Sequence, residues 1–301
     1  MMVIPVLLIG FNRPEFLNSR VEEIVKMNVP LLYISIDGGD RQTEFTMKKA
    51  LSKIERIDTK NTRVIINHHN SSLGLVNHIT SAIDGVLSEH ENVIIVEDDI
   101  KLTNNFYANM ISGFKTLDSR GVKGTVGAFS PLRPFGLFFG RNSWRSTRYF
   151  SCWGWGCSRE VWADYKIVLN QDNFEHELKH SKTWQSLSKF QQKLWIYRFK
   201  KISKTPNHTW DIQFQYLSFV NSYIQLVPIF RFVDNEGFGD QRAAHTSGSR
   251  PRWMGPTSIS ETIVRPNQIS LLSKIFERFL DSNTIAGDTR LIQIKNRRSK
   301  T

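Results

Sequence analysis

Short apolar runs alternate with amphipathic stretches through the first 130 residues, and this alternation limits the folds open to the chain. The run "VIPVLLI" at positions 3–9 is continuously apolar, as expected for a strand covered on both faces. Pro14 then suits the first position of a helix, and the residues after it are apolar at helical spacing. Further strands are predicted at 31–37, 63–69, 92–98 and 124–130, and helices at 72–87 and 104–114. We therefore predict an α/β fold, with a mostly parallel sheet flanked by helices.

The pattern is less regular after Ser130. Residues 131–149 are rich in Gly, Arg and aromatic side chains without a clear period, which is typical of a long functional loop. Helices are predicted at 171–202 and 208–220, a strand within 222–230, and an amphipathic helix at 269–280. We expect one domain over residues 1–250, followed at 251–301 by the amphipathic helix and a basic tail.

Composition restricts the compartment that we expect. Apolar residues make up 40% of the chain, enough for a packed core, but no apolar stretch approaches the roughly 20 residues of a membrane-spanning helix. The apolar start of the chain lacks the basic region and the cleavage site of a signal peptide. The only cysteines, Cys152 and Cys157, do not form a disulfide framework. These features predict a cytoplasmic protein.

The formal net charge of +12 favours a polyanionic partner, which leaves nucleic acid, an anionic membrane surface and phosphorylated substrates as alternatives. A nucleic-acid-binding module would be expected to have a recognisable motif. The chain has no zinc pattern, no RNP-type motif and no obvious helix-turn-helix. We therefore expect no specific nucleic acid. Basic segments also suit peripheral contact with the inner membrane face, for which the helix at 269–280 is a candidate; packing of that helix on the domain is the alternative.

Polar side chains follow four of the predicted strands. In open α/β sheets, ligands bind outside the carboxyl ends of the strands, so these side chains mark a candidate ligand site. The residues are Asn12 and Arg13, Asp37, Asn67 and His68, and Glu97, Asp98 and Asp99.

The three adjacent acids in "VIIVEDDI" suggest a divalent metal site. Two unit charges about 4 Å apart interact by roughly 4 kcal/mol at an effective dielectric of about 20, so a dication would offset the repulsion. Mg²⁺ and Mn²⁺ prefer carboxylate oxygens and also bind phosphate oxygens. Neighbouring side chains on an extended backbone point in opposite directions, so only Asp98 or Asp99 is expected to be a direct ligand. The alternative is three solvated acids where a strand meets a helix.

Two other nucleotide-binding folds are excluded by their missing motifs. A phosphate-loop NTPase requires G-x-x-x-x-G-K-[ST], and a dinucleotide-binding fold requires G-x-G-x-x-G after the first strand. Neither pattern occurs in the chain.

Five motifs occur in an order that resembles a known family: "PVLLIGFNRPEFL", "ISIDGGD", "VIIVEDDIKLTNNFY", "FSCWGWGCSREVW" and "TWDIQFQYLSF". Over residues 3–247 the chain resembles nucleotide-diphospho-sugar glycosyltransferases of the GT-A fold. It is most similar to bacterial surface-polysaccharide transferases that are themselves similar to N-acetylglucosaminyltransferase I. The resemblance implies a Rossmann-like fold with a nucleotide-sugar half at 1–130 and a largely helical acceptor half at 131–250.

The resemblance also implies roles for individual residues. The nucleotide would contact Phe11, Asn12, Arg13, Asp37 and Asn67, with Asp37 accepting the uracil N–H, while Glu97 and Asp98 would assist at the ribose and around the metal. Asp99 would bind Mn²⁺ or Mg²⁺, and His245 would contact the metal or the diphosphate. Asp211 would be the general base, and Trp153, Gly154, Trp155 and Trp210 would line the acceptor and sugar side.

Simpler explanations remain open for several of these residues. Asp211 could cap a helix or lie on the surface, the tryptophans could pack in the core, and His245 could be an ordinary loop histidine. The function that we expect is metal-dependent, inverting transfer of a sugar from a UDP-sugar donor to a bacterial surface glycan or lipid-linked glycan acceptor. A basic nucleic-acid-binding module and a glycan-binding relative without catalysis are the alternatives.

Overall fold

A computed structural model of the chain describes residues 3–59, 61–132, 142–165, 173–242, 248–251, 254 and 258–282. Strands and helices alternate through the first third of the chain, as predicted. The first elements are β1 (Val6–Gly10), α1 (Pro14–Lys26), β2 (Leu31–Ile36), α2 (Arg41–Ile54), β3 (Arg63–His68), α3 (Leu75–Glu89) and β4 (Asn92–Glu97).

The remaining elements are shorter strands separated by helices of unequal length. They are β5 (Ile100–Leu102), α4 (Phe106–Arg120), β6 (Gly124–Gly127), β7 (Trp144–Thr147), β8 (Trp155–Ser158), α5 (Arg159–Trp162), α6 (Phe174–His180), α7 (Lys182–Gln185), α8 (Lys189–Ile202), a 3₁₀ turn (Pro206–His208), α9 (Asp211–Val220), β9 (Ile224–Pro228), β10 (Val233–Asn235), α10 (Ser273–Phe276) and a π-helical turn (Glu277–Asp281).

Eight strands form one sheet in the order β3-β2-β1-β4-β8-β6-β9-β7, and β5 pairs with β10 in a second, antiparallel sheet. The strands β1 to β4 are parallel, and β8 runs antiparallel to both β4 and β6. The prediction of an α/β fold with a mostly parallel sheet flanked by helices is confirmed. The chain moves outward from β1 to β3 and then returns to the other side of β1 with β4. The strand order therefore reverses between β1 and β4, where ligand sites form in such sheets.

Each face of the sheet is covered by a helix with a buried apolar stripe. On one face, Leu8 of β1 belongs to the same apolar core as Leu17 and Val21 of α1. On the other face, Leu7 belongs to a core with Ile79 and Ile83 of α3. Because successive strand residues point to opposite faces, a strand that supplies both cores is apolar throughout. This explains why the apolar runs predicted these strands well.

Helix α2 was not predicted from the sequence. Of its 14 residues only Met47, Ala50 and Ile54 are buried, so its apolar stripe is weak. Its start is nevertheless marked, because the side chain of Asp40 accepts a hydrogen bond from Thr43 N (2.8 Å). An N-cap of this kind contributes about 1 kcal/mol.

The stretch predicted to be helical at 171–202 is divided, within its described part, into the separate helices α6, α7 and α8. The side chain of Ser181 caps α7, and that of Ser188 caps α8 in a capping box with Gln191. Serine favours such caps over helix interiors because its hydroxyl competes for backbone donors.

The C-terminal segment 258–282 packs against the edge strand β7. Backbone hydrogen bonds join Trp144 to Gln268 and to Ser270, each at 2.7 Å. Arg145 forms a fully buried ion pair with Asp281. The helix predicted at 269–280 is only partly present, as α10 and the π-helical turn, and Leu271 is completely exposed. The segment is therefore attached to the sheet by a strand-like contact and a buried charge pair.

Candidate functional site

The reversal point of the strand order brings together Arg13, which follows β1, and the acids that follow β4. Arg13 Nη1 donates to Asp99 Oδ2 (2.9 Å), and Nη2 donates to Asp98 Oδ1. Asp98 and Asp99 are both buried, at 2% and 6% exposure. One guanidinium thus pairs with two of the three adjacent acids, and its single positive charge offsets part of their mutual repulsion.

The third acid, Glu97, points to the opposite face of the sheet. It continues the face of Val93 and Ile95, which lie in the core beneath α3 and α9. Burial of its carboxyl group, together with the charges of Asp99 and Asp98, raises the pKa of Glu97 to about 8. Burial and the two neighbouring negative charges thus disfavour the ionised form of Glu97.

Asp98 and Asp99 keep oxygen atoms that could bind a cation. Burial raises the pKa of Asp98 to about 7, against the opposing effect of Arg13. Asp98 Oδ2 is buried without a well-aligned hydrogen bond, although the N–H of Phe11 is close enough to lower the pKa somewhat. Asp99 Oδ1 accepts no hydrogen bond from a described residue. These carboxylate oxygens fit a hard divalent ion.

A complete metal cage is not preformed among the described residues, because no group of three or more His, Cys, Asp or Glu side chains is arranged for one. Mg²⁺ and Mn²⁺ sites with few protein ligands are completed by water and by phosphate oxygens of the substrate. The prediction for His245 lies outside the described residues.

Asp37 anchors a loop instead of facing an open site. Its Oδ1 accepts from the N–H groups of Gly38 (3.0 Å) and Leu73 (2.7 Å), and its Oδ2 accepts from Ser72 Oγ (3.0 Å) and Gly74 N (3.2 Å). A carboxylate has about four lone-pair sites, and these four bonds occupy them. Asp37 thus fixes the turn that leads into α3, and its predicted contact with uracil stays a prediction.

The other predicted nucleotide contacts differ in their access to the site. Phe11 is 40% exposed and Asn12 is partly buried, both directly beside Arg13. Asn67 is exposed on β3, where its Nδ2 lies 3.4 Å from His69 Nε2. Because β3 is two strands away from β1, Asn67 is roughly 10 Å from the reversal point in the sheet direction. Phe11, Asn12 and Arg13 thus lie together, and Asn67 lies apart from them.

Asp211 is the first residue of α9, and the hydroxyl of Thr209 donates to its Oδ1. Its charge is one of those that raise the pKa of Glu97 and of the Cys152 thiol, after the larger effect of burial in both cases. Asp211, Glu97 and Cys152 therefore lie near one another, on the face of the sheet opposite to Asp98. The structure brings the predicted base close to the acid triplet.

The predicted sugar-side aromatic residues divide into two kinds. Trp155 is completely buried and Trp210 is 3% exposed, and their rings stack with centroids 5.3 Å apart. Both rings belong to the core, so the prediction that they contact sugar or acceptor is not compatible with this arrangement. Trp153 is only partly buried, and its ring meets Phe129 (4.6 Å) and Phe238 (5.9 Å) edge to face.

Gly154 has a structural reason to be glycine. Its φ of +62° is strained for other residues, and an added Cβ would lie 3.2 Å from both Phe106 and Val233. Its carbonyl accepts from Ala128 N at 2.8 Å, which joins the turn before β8 to the end of β6. Since β8 runs antiparallel to β4, this turn reaches the sheet edge that holds Glu97.

The polar loop that follows β10 lies beside the acids. Glu236 N donates to the carbonyl of Asp99 at 2.8 Å, and the Glu236 carboxylate pairs with the buried Arg20 at 3.1 Å. Arg242, which follows in the same loop, donates to Asp240 and to Glu15 in the first turn of α1. The pairs Arg20–Glu236 and Arg242–Glu15 span 216 and 227 positions of sequence, and no local pattern indicated them.

A search against protein-family models found no match to this chain, and a search among curated proteins found none. No helix within the described ranges is both long enough and apolar enough to cross a bilayer.

Proposed function

We propose that the chain is a metal-dependent glycosyltransferase of the GT-A type. It transfers a sugar from a UDP-sugar, with inversion, to a bacterial surface glycan or a lipid-linked glycan acceptor. The observation that carries the proposal is the position of Arg13, Asp98 and Asp99 at the reversal of strand order, with Asp211 on the other side of the end of β4. The motif resemblance supplies the reaction type.

The nucleotide side of the site is supported by exposed apolar surface next to charge. Phe11 is 40% exposed at the end of β1, and Leu73 and Leu75 are each 36% exposed near the start of α3. Isolated apolar side chains are common on protein surfaces. These three, however, lie at the same edge of the sheet as Arg13, which is the edge where ligands bind in such folds. A base can pack against such side chains, while Arg13 is close enough to the acids to contact a diphosphate.

A divalent ion would be held by Asp99 through its free Oδ1 and by the diphosphate, with the buried Asp98 Oδ2 as a further oxygen at the site. Such an ion supplies Lewis-acid stabilisation of the departing nucleoside diphosphate. Arg13 holds Asp98 and Asp99 in place before any ligand arrives, so the site loses little side-chain freedom on binding.

Removal of a proton from the acceptor hydroxyl is assigned to Asp211. The Thr209 hydroxyl orients one carboxylate oxygen of Asp211 and leaves the other to accept the proton. Glu97, whose pKa is raised by burial to about 8, lies beside it. The diphosphate and the attacking hydroxyl would then approach from opposite sides of the end of β4, as in-line displacement requires.

A donor screen tests the proposal. Thermal unfolding is measured with Mn²⁺ and UDP-, GDP-, dTDP- or CMP-sugars. A ligand at about 100 times its Kd raises the free energy of unfolding by about 2.7 kcal/mol. Among the four kinds of donor we expect this stabilisation from UDP-sugars, and we expect it when metal is present but not when it is absent. Asp99→Ala should lose the metal-dependent part, whereas Asp118→Ala, which alters an exposed acid on α4, should retain it. UDP affinity that is the same with and without Mn²⁺ would contradict the metal role.

A further inference from the structure

An exposed surface of apolar and basic side chains lies away from the candidate site. It is formed by two elements, the C-terminal segment and α8, and we call it the docking face. In the C-terminal segment the exposed residues are Leu271, Leu272, Lys274, Ile275, Arg278 and Phe279, and on α8 they are Lys189, Phe190, Lys193, Tyr197, Lys200 and Lys201.

The two elements of the docking face adjoin. Gln191 Nε2, in the first turn of α8, donates to Ser282 Oγ at 2.8 Å. Arg148 also links them, through Ser186 at the end of α7 and Glu277 in the π-helical turn. The exposed residues of α8 recur every three or four positions, which places them on one side of the helix.

The exposed apolar groups are large for a protein surface. Leu271 is completely exposed, Phe279 is 62% exposed and Ile275 is 54% exposed. On α8, Tyr197 is 48% and Phe190 is 40% exposed. Exposed apolar residues that cluster with a polar rim mark an interaction surface.

The charged residues that form the docking face are all basic, although one of them, Lys200, pairs with Glu175 of α6 at 2.7 Å. Helix α8 contains no acidic residue. The two acids of segment 266–282, Glu277 and Asp281, pair with Arg148 and Arg145 and so do not contribute free negative charge. The sequence after Ser282 adds five basic residues and one acidic residue: Arg290, Lys295, Arg297, Arg298 and Lys300, with Asp288.

We propose that the docking face binds the surface of an anionic lipid bilayer. Basic side chains beside Leu and Phe are the combination that enters the interface between lipid headgroups and acyl chains. A nucleic acid would satisfy the lysines but offers no apolar phase to a fully exposed Leu271. A second copy of the face would oppose lysine to lysine. The proposal is independent of sugar transfer, because the docking face shares no residue with the candidate site.

Vesicle flotation of the full chain tests the proposal. One set of vesicles is phosphatidylcholine alone, and the other is an equimolar mixture with phosphatidylglycerol. Each Lys near an anionic surface contributes about a fivefold gain in affinity, so Lys193→Glu with Lys274→Glu should weaken binding to the mixed vesicles by at least about 25-fold. Leu271→Ser with Ile275→Ser should weaken it by about tenfold or more.

A matched control separates this surface from general effects of charge and apolarity. Phe45→Ser with Lys48→Glu alters an exposed aromatic residue and an exposed lysine on α2, where Phe45 is 67% exposed. It should bind mixed vesicles within about twofold of the unaltered chain. Equal binding of the unaltered chain to both vesicle types would overturn the proposal. An equal loss of vesicle binding in the control variant would also overturn it. The proposal would fail as well if a random-sequence DNA duplex bound to the docking face while vesicles did not.

Discussion

Arg13 and Asp99, which are 86 positions apart, are joined by a hydrogen bond of 2.9 Å at the end of the first and fourth strands, and the same guanidinium reaches Asp98. The pair explains how adjacent acids persist at the end of an apolar strand. A cation from the chain itself already compensates them. A bound metal would therefore join a site whose charges are partly balanced, and the net charge of the bound state depends on both cations.

Replacement of Arg13 measures this compensation. Arg13→Met keeps the length of the side chain but leaves Asp98 and Asp99 without their counter-charge, and loss of one partner from a buried pair costs about 3–5 kcal/mol. We expect urea unfolding to show a loss in this range, and Mn²⁺ to restore more stability to the variant than it adds to the unaltered chain. Arg41→Met, on an exposed position of α2, is the control. A loss below about 1 kcal/mol would mean that the acids do not depend on Arg13.

Asp211→Asn separates binding from chemistry. The amide keeps an oxygen for the Thr209 hydroxyl but cannot accept the acceptor's proton. Turnover should fall by about 10²–10⁴-fold, while the affinity for UDP with Mn²⁺ stays unchanged. The comparison is Asp118→Asn, which alters an exposed acid on α4 and should leave turnover unchanged. Near-normal turnover of Asp211→Asn would reassign the base.

His78 predicts a loss of stability in acid. It is buried on α3 and bonded to Ser35 Oγ at 2.9 Å, and burial lowers its pKa to about 4. The unfolded chain has an ordinary histidine pKa near 6.5 and so binds the proton more tightly than the folded chain does. The stability that depends on a neutral His78 is therefore fully present above pH 6.5 and is lost as the pH falls to 4. Its size is of the order of 2–3 kcal/mol.

The measurement is urea unfolding at several pH values between 4 and 7. In His78→Gln the decline over this window should be smaller than in the unaltered chain, because no imidazole has to be kept neutral. His176→Gln, at an exposed position of α6, should decline as the unaltered chain does. If the free energy of unfolding changes with pH by the same amount in all three proteins, His78 does not contribute to the loss of stability in acid.

The buried pair of Arg145 and Asp281 makes the C-terminal segment part of the folding unit. Asp281→Ala leaves the guanidinium of Arg145 buried, with Ser130 Oγ at 3.3 Å as its remaining hydrogen-bond acceptor among the described residues. We expect a loss of about 3–5 kcal/mol in urea unfolding, and recovery of much of it in Arg145→Met with Asp281→Leu, which removes both charges. Asp288→Ala, in the following sequence, controls for the loss of an acid. Unchanged stability of Asp281→Ala would show that the segment is only loosely attached.

The sequence predicted a strand well where a single apolar run contributes side chains to the cores on both faces of the sheet. Leu7 and Leu8 belong to different cores, and such a run can be recognised without any partner. The sequence also predicted that polar residues after β1 and β4 lie together, because the carboxyl ends of parallel strands meet at one edge of the sheet. Helix α2 escaped prediction because three buried residues make too weak a stripe.

Other features of the site were not predictable because they depend on distant partners. Nothing near Asp37 indicated that Ser72 and the backbone of the following loop would use up its oxygens. A tryptophan next to glycine can equally be a sugar platform or core, and only the stacking of Trp155 on Trp210 decides between them. The contact between Glu236 and Asp99 joins residues that are remote in the chain.

The direction of β8 has a consequence for how this scaffold can diversify. The parallel strands β1 and β4 end at the edge of the sheet that holds Arg13 and Glu97, whereas β8 begins there, so the residues just before Trp155 approach this edge from the opposite direction. A change of length or composition before Trp155 can therefore alter the surroundings of this edge while the register of the four parallel strands stays as it is.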